Sequence, residues 1–340
     1  MDDLQTGTRD KRGNWAPRAP LGLSPFATGA WAKLPGFVGS YLLGWNLVYG
    51  VITLGYWYLA LPAAEVMATL SWGWALRLLV INTLGIAAFF GLFELRLYVM
   101  QRQGRRFKYN GKLPSEQPSE VFWMRSQNID NALRSLLVTV PIGTAIEVLT
   151  LWLMFSGAVP TITLGANPIW FAALLLLAPI LHEGYFFFIH RLIHWAPLYK
   201  WVHSVHHNSV NPSPWSSLSM HPVEGALYFG TVLLHLVLWS NPFLVLWQFN
   251  LAAYGAIVGH IGFDRIEVGE DRAVTSHAYA HYLHHKYFEV NYCDDGVLPW
   301  DKWFGTWHDG TKEADEKMKA RFRAKREKAN RQKTRGIAAE

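Results

Sequence analysis

Fourteen histidines stand in this chain, and all of them lie between His182 and His308. An even scatter would put roughly seven before position 182, so the asymmetry is itself a signal. Eight fall into three clusters: His190-Arg-Leu-Ile-His194, His203-Ser-Val-His206-His207 and His281-Tyr-Leu-His284-His285. Neutral imidazole is the commonest side-chain nitrogen ligand of transition metals. On a helix, residues three and four apart share a face. His190 therefore neighbours His194, and His203 neighbours His207 with His206 on the adjacent edge. His281, His284 and His285 repeat that pattern. Each triplet is expected to aim two or three imidazoles at one point. Eight nitrogens are too many for a single tetrahedral zinc with its four ligands. They suit two metals a few ångströms apart, each keeping an open position for a small molecule.

Two isolated histidines come next, His221 in His-Pro-Val-Glu224 and His260 in Val-Gly-His. Each reads either as a ligand or as a structural hydrogen bonder. His182, His235, His277 and His308 are weaker candidates; His182 precedes His190 by two helical turns and suits an outer role, and His277 is a fringe ligand at most. His182-Glu183 opens like a zinc-protease motif, but position 186 is Phe, so the motif is absent. A carboxylate-rich di-iron bundle needs several inward Glu residues and Glu-x-x-His pairs, and acidic residues near the clusters are few.

These side chains need elements to hold them. Four apolar stretches precede the clusters: Phe37–Leu61, Trp74–Leu95, Leu133–Phe155 and Pro168–Ile189. Each reaches the length of about 20 residues that spans a bilayer as helix, and Trp and Tyr gather near the ends, as at headgroup level. Arg77 and Glu94 sit near ends and can snorkel; Glu147 is deeper and requires a partner. The flanking segments alternate in charge. Residues 1–35 carry Arg9, Lys11, Arg12, Arg18 and Lys33; Pro62–Gly73 carries no basic residue; the next link carries Arg96, Arg102, Arg105, Arg106, Lys108, Lys112 and Arg125; Gly157–Asn167 carries none. That alternation places both termini and the histidine region in the cytoplasm of a membrane protein, with a bacterial inner membrane the expected location. A further apolar region, Gly225–Gly262, is interrupted by Ser240-Asn241-Pro242, a helix stop. It reads as a hairpin that dips into the membrane or packs on the bundle, with two further spans as the competing reading. The expected fold is all-α, a membrane helical bundle of about four spans plus that hairpin, carrying a cytosolic histidine-rich helical region. The expected division is a segment 1–35, a transmembrane region 36–181, a catalytic region 182–310 and a basic tail 311–340, helical and polar all round.

Composition narrows the field. The 340 residues are 51% hydrophobic with a net charge of +6, and residues 311–340 hold eleven Lys/Arg against five Asp/Glu. The excess is thus a tail property, suited to solvent or to anionic headgroups, and no stacking surface alternates with it as nucleic-acid binding would require. The single cysteine, Cys293, rules out an internal disulfide, a thiolate iron–sulfur cluster and a multi-cysteine zinc site. No cleavable signal is expected in residues 1–35. A metal transporter would carry ionisable residues through its spans, and these are nearly free of histidine. A zinc hydrolase would work without oxygen or reductant.

The run Glu183-Gly-Tyr-Phe-Phe-Phe-Ile-His190-Arg191-Leu-Ile-His194 is followed by Leu198-Tyr199, His203-Ser-Val-His206-His207-Asn-Ser, Pro212-Ser-Pro214-Trp215, His221-Pro-Val-Glu224, His281-Tyr-Leu-His284-His285, Asn291-Tyr292 and Trp300-Asp301-Lys-Trp-Phe304-Gly305-Thr306. Over about residues 180–307 this resembles the fatty acid hydroxylase/sterol desaturase superfamily. The resemblance implies an integral membrane oxygenase with two non-haem iron ions, which uses O2 and two external electrons to hydroxylate or desaturate a lipid C–H bond. It implies that His190, His194, His203, His206, His207, His281, His284 and His285 bind iron, with His221 and His260 as extra ligands. It places Glu183 where an acidic residue orients a box histidine, and counts Asn291 and Tyr292 with Glu183 as candidate catalytic residues. Cys293 departs from the family's Asn-Tyr-Gly; Cys fits only if the backbone there does not require a positive φ. The Pro-Ser-Pro-Trp and His-Pro-Val-Glu segments lean towards the sterol-type branch, with fatty-acyl and other membrane lipids also open. No dinucleotide fingerprint or thiolate cluster supplies electrons, so the expected partners are a bilayer lipid and an external donor, a ferredoxin or a cytochrome b5-like protein with its reductase. The basic segment Arg102–Lys112 and the tail are expected to steer an acidic donor. No oligomeric state follows from the sequence.

Overall fold

Long apolar runs fold as helix because only helix satisfies every backbone group within the segment where water is absent. The structure, a computed structural model, describes residues 1–293 and 296–337, with side chains to residue 328. Five helical stretches are long and apolar enough to cross a membrane: Trp31–Ala60, Trp72–Val99, Gln127–Phe155, Pro168–Ile193 and Pro242–His260. The first is two helices, α1 (Leu34–Leu43) and α2 (Trp45–Gly55), broken at Gly44, whose ψ of −133° lies outside the helical region. The second is α3 (Trp72–Glu94). The third joins α4 (Gln127–Arg134) to α5 (Val140–Phe155) through a wider π-turn over Ser135–Thr139. The fourth, α6, runs from Pro168 to Ile193 and carries the first histidine cluster at its end.

The region after the second cluster is a helix α7 (Pro222–Phe229), a tighter 3-10 stretch over Gly230–Leu236, and α8 (Pro242–His260). Of Gly225–Gly262, the second half is thus one of the five helices long and apolar enough to cross a membrane, and the first half is a short helix and a 3-10 stretch, so the region does not supply two full spans. Asn241 starts α8 by accepting the Phe243 N–H at 2.8 Å, with Pro242 in the first turn. Helix α8 is apolar on all sides, which suits a helix enclosed by others, and it packs against α2, α5 and α6. The NH2 groups of its buried amides are met within the bundle, Gln248 donating to Thr231 at 3.2 Å and Asn250 to Thr53 at 3.2 Å, while their amide oxygens have no side-chain or backbone partner. Glu147 also finds its partner, as Asn82 on α3 donates to it at 2.7 Å and to Thr144 at 2.9 Å.

The third histidine cluster lies on α9 (Tyr279–Tyr287), which packs against α8, and the basic tail forms α10 (Lys312–Ile337). Strand is confined, among the described residues, to two small antiparallel ribbons, Gly7–Arg9 with Trp15–Pro17 and Arg265–Glu267 with Ala273–Thr275. The chain is a membrane protein built as a helical bundle, and the ends of α6, α8 and α9 meet at one end of it.

Candidate metal centre

Nine imidazoles converge there in two groups. His190, His194, His203, His207 and His284 form the first; His206, His260, His281 and His285 form the second, and within each the ligand nitrogens lie within 4.8 Å of one another. The groups touch, since the rings of His207 and His285 are 4.7 Å apart. Two imidazoles of each triplet share a group, as the spacing suggested, and the third goes to the other group. Each i, i+4 pair stays together: His190 with His194, His203 with His207, and His281 with His285. The odd member crosses over, His284 to the first group and His206 to the second. The reason is angular. Successive residues on a helix point about 100° apart, so a residue adjacent to one member of a pair faces another side. In the second cluster a π-turn, Tyr199–His203, leads into one helical turn, Ser204–His207.

His260 joins the second group from the end of α8. Gly259 beside it makes room: a Cβ there would stand 3.2 Å from Cγ of the His281 ring. His221 is not brought to either group. Its Nδ1 accepts the Val223 N–H at 3.2 Å, so this side chain caps α7. His182 and His277 line the adjacent cavity. His308 stacks on Tyr287 and faces Asp315, outside both groups. His235 bonds Ser240 at 2.6 Å beneath the 3-10 stretch.

The outer hydrogen bonds aim the rings. His190 Nδ1 meets the Tyr292 carbonyl at 2.7 Å, His284 that of Val290 at 2.7 Å, His260 that of Ala256 at 2.9 Å and His206 that of Ser219 at 3.3 Å. A carbonyl only accepts, so each of these Nδ1 atoms carries the proton and each Nε2 presents a lone pair. His203 Nδ1 faces the Glu224 carboxylate at 2.7 Å. The acidic residue seen orienting a cluster histidine is therefore Glu224, which the His-Pro-Val-Glu motif contains, whereas Glu183 was expected there. The Glu183 carboxylate accepts the N–H groups of Val297 and Leu298 at 2.6 and 2.8 Å, and a Cβ at Gly296 would stand 2.3 Å from its carboxyl carbon.

Asn291 and Tyr292 serve the same frame. Asn291 donates to the carbonyls of Ala280 and His308 at 3.2 and 3.0 Å and accepts the His308 N–H at 2.8 Å. Its φ of 51° is left-handed, as is that of Phe288 at 63°; Cys293 has no positive φ, so Cys in place of Gly is tolerated. The Tyr292 ring lies 5.0 Å from His194 and 5.4 Å from His284. Asp301, which only the Trp-Asp-Lys-Trp segment hinted at, accepts the N–H groups of Tyr292 and Cys293 at 2.9 and 2.8 Å.

Two observations show that the groups fit a metal. His206 and His260 both carry their protons on Nδ1, yet their Nε2 atoms stand 3.1 Å apart. Two lone pairs at that distance repel unless a cation lies between them. A proton is a poor candidate, because burial and then the neighbouring imidazoles hold His206 down to about 3 and His203, His207, His284 and His285 well below 6.5. Burial likewise pushes Glu224 up while pushing His203 down, a mutual discomfort that a positive ion at His203 Nε2 relieves. The second observation is spacing. At a metal–nitrogen distance of about 2.1 Å, nitrogens at right angles lie about 3.0 Å apart and tetrahedral ones about 3.4 Å. The bridging Nε2···Nε2 separations are 3.0 to 3.2 Å, nearer the right-angled case and suited to more than four ligands.

A cavity of about 270 Å³ opens against both groups, meeting His190 and His203 of the first and His206, His260 and His281 of the second. Its walls come from α2, α6 and α8 through Tyr49, Phe186, Leu251, Gly255 and Ala256. Apolar walls with a few convergent polar groups are the usual make-up of a small-molecule pocket.

Residues 175–306 match the fatty acid hydroxylase family. A Delta(7)-sterol 5(6)-desaturase of Gibberella zeae is 32% identical over 126 residues, 36% of this chain and 38% of that protein. Methylsterol monooxygenase 1 of Gallus gallus is 29% identical over 130 residues, 37% of this chain and 43% of that protein. A Delta(7)-sterol 5(6)-desaturase of Candida albicans is 30% identical over 119 residues, 34% of this chain and 29% of that protein. The chain thus spans about two fifths or less of these curated relatives. No solved structure matches.

Proposed function

We propose that this chain, whose residues 175–306 place it in the fatty acid hydroxylase/sterol desaturase superfamily, is a membrane-bound di-iron oxygenase that hydroxylates or desaturates a C–H bond of a sterol-like or fatty-acyl lipid. The observation that carries this reading is the pair of touching histidine groups, five and four nitrogens, facing one apolar cavity. The first group would hold one ion and the second the other. When bound, such a pair supplies electrons to O2, and the balance of RH + O2 + 2 e⁻ + 2 H⁺ → ROH + H2O is met by an external carrier.

The chain's own residues do the rest. The carbonyls of Tyr292, Val290, Ala256 and Ser219 keep protons on Nδ1 and so keep Nε2 free to ligate. Glu224 holds the proton at His203 Nδ1 and offers a negative charge behind the cation. The apolar walls exclude water and hold the lipid segment beside both groups, and which carbon lies nearest decides the position oxidised. The loop charges favour a cytoplasmic placing of the histidines in an inner membrane, and the exposed basic residues of Arg102–Lys112 and the tail favour an acidic carrier, a ferredoxin or a cytochrome b5-like protein. A zinc hydrolase or a metal transporter is disfavoured: five nitrogens exceed zinc's usual four, and no cluster of three or more metal-binding side chains beyond the two groups is found among the described residues.

Membranes from cells with and without the gene, compared by lipid mass spectrometry, test the reading. A lipid gaining one oxygen or losing two hydrogens only in oxygenated, gene-bearing cells is expected. His206→Ala and His284→Ala, one in each group, should lose that product along with iron. Unaltered lipid oxidation by either variant refutes the assignment.

A further inference from the structure

Most polar side chains around the cavity already have partners. Asn46 donates to the Tyr41 carbonyl at 3.0 Å, Ser217 to that of Pro214 at 2.6 Å and Tyr228 to that of Ala252 at 2.8 Å. Among the described cavity-lining residues three buried polar atoms do not: Glu224 Oε2, whose sister oxygen meets His203, and the Tyr49 hydroxyl and His182 Nδ1, whose residues both line the cavity. Tyr49 is 4% exposed and lies on Gly255, where a Cβ would be 3.6 Å from its ring. His182 stands edge-on to Tyr228 with ring centres 5.6 Å apart and is stacked on Phe186 at 6.2 Å. Buried polar groups without partners are rare enough that each calls for a ligand or a water, and two facing one apolar cavity point to the same occupant.

Taking the oxygenase reading as its ground, we propose that Tyr49 and His182 form a hydroxyl-binding subsite, so that the lipid taken here carries a hydroxyl group held between these two side chains. A hydroxyl is the group that satisfies both. It accepts from the Tyr49 O–H and donates to His182 Nδ1, or the reverse, with no need for a particular tautomer. A carbonyl would serve only donors, and a charged group would be heavily penalised among these apolar walls. The subsite also sets a length. His182 precedes His190 by two helical turns, about 12 Å along the axis, so the hydroxyl and the oxidised carbon lie on the order of 10 Å apart. Tyr49 lies outside the matched residues 175–306, so the helix ahead of the matched region contributes to substrate choice.

The test uses the full chain in lipid nanodiscs and two matched probe pairs: cholest-7-en-3β-ol with cholest-7-ene, and hexadecan-1-ol with hexadecane. Binding is read from tryptophan fluorescence, since Trp45 lines the cavity, and is corrected for partition into empty nanodiscs. In at least one pair the alcohol should bind at least about tenfold tighter than the hydrocarbon. Tyr49→Phe and His182→Phe should each erode that preference, and the double variant should abolish it. Equal binding within both pairs overturns the proposal and leaves the two groups to water. An intact preference in the double variant overturns it as well. Iron content and O2-dependent oxidation, read on the same preparations, report separately on the oxygenase reading.

Discussion

Glu224 and His221 sit three residues apart in one motif and have opposite fates. His221 points to the start of α7, and Glu224 reaches a cluster histidine at 2.7 Å. Only the carboxylate lies on the side of α7 that faces the metal groups. His221→Ala should therefore keep its iron and lose at most the value of a helix cap, about 1 kcal/mol. Glu224→Gln can still accept from His203 but offers no negative charge behind the cation. A loss of about 10- to 100-fold in iron affinity or activity is expected, with metal titration as the measurement. Equal iron affinity in the two variants would show that Glu224 does not hold His203.

At the scale of elements, the bundle matters for where three ends meet. Helix α8 brings His260 to the second group only because α9 approaches it closely, and Gly259 permits that approach. Gly259→Val should displace the His281 ring and with it the second group. If each group holds one ion, as proposed, iron should fall towards half, read by metal analysis, while the first group keeps its five nitrogens. The apolar, all-round character of α8 was legible as a run of hydrophobic residues. Its position at the centre was not, because a helix that faces lipid and one that faces other helices read alike in composition.

For the whole molecule, burying so many neutral imidazoles ties stability to pH. An unfolded histidine takes up a proton near 6.5, whereas His206 in the fold does so only at about 3 and His284 well below 6.5. Between those limits the unfolded chain binds more protons than the folded one, so stability is full above about 6.5 and falls as the pH drops below it. Protons also compete for the nitrogens that hold metal. The unfolding midpoint of the metal-free protein should fall steadily from pH 7.5 to 5, and the iron-loaded protein should release iron over the same range. A flat profile would mean that these histidines take up protons in the fold over the same range as in the unfolded chain.

Much of this protein is written in its linear order. Three histidine clusters announce a metal, long apolar runs announce a membrane, and the sequence of motifs announces a family, because spacing along a helix and hydrophobic length are local properties. The division of the second and third clusters between two groups, the placing of His221 away from both, the contact of Glu224 with His203 and the cavity lined by Tyr49 and His182 are visible only in three dimensions. Each depends on which face of one helix meets which face of another, and that follows from how the whole bundle packs rather than from any stretch of chain taken alone.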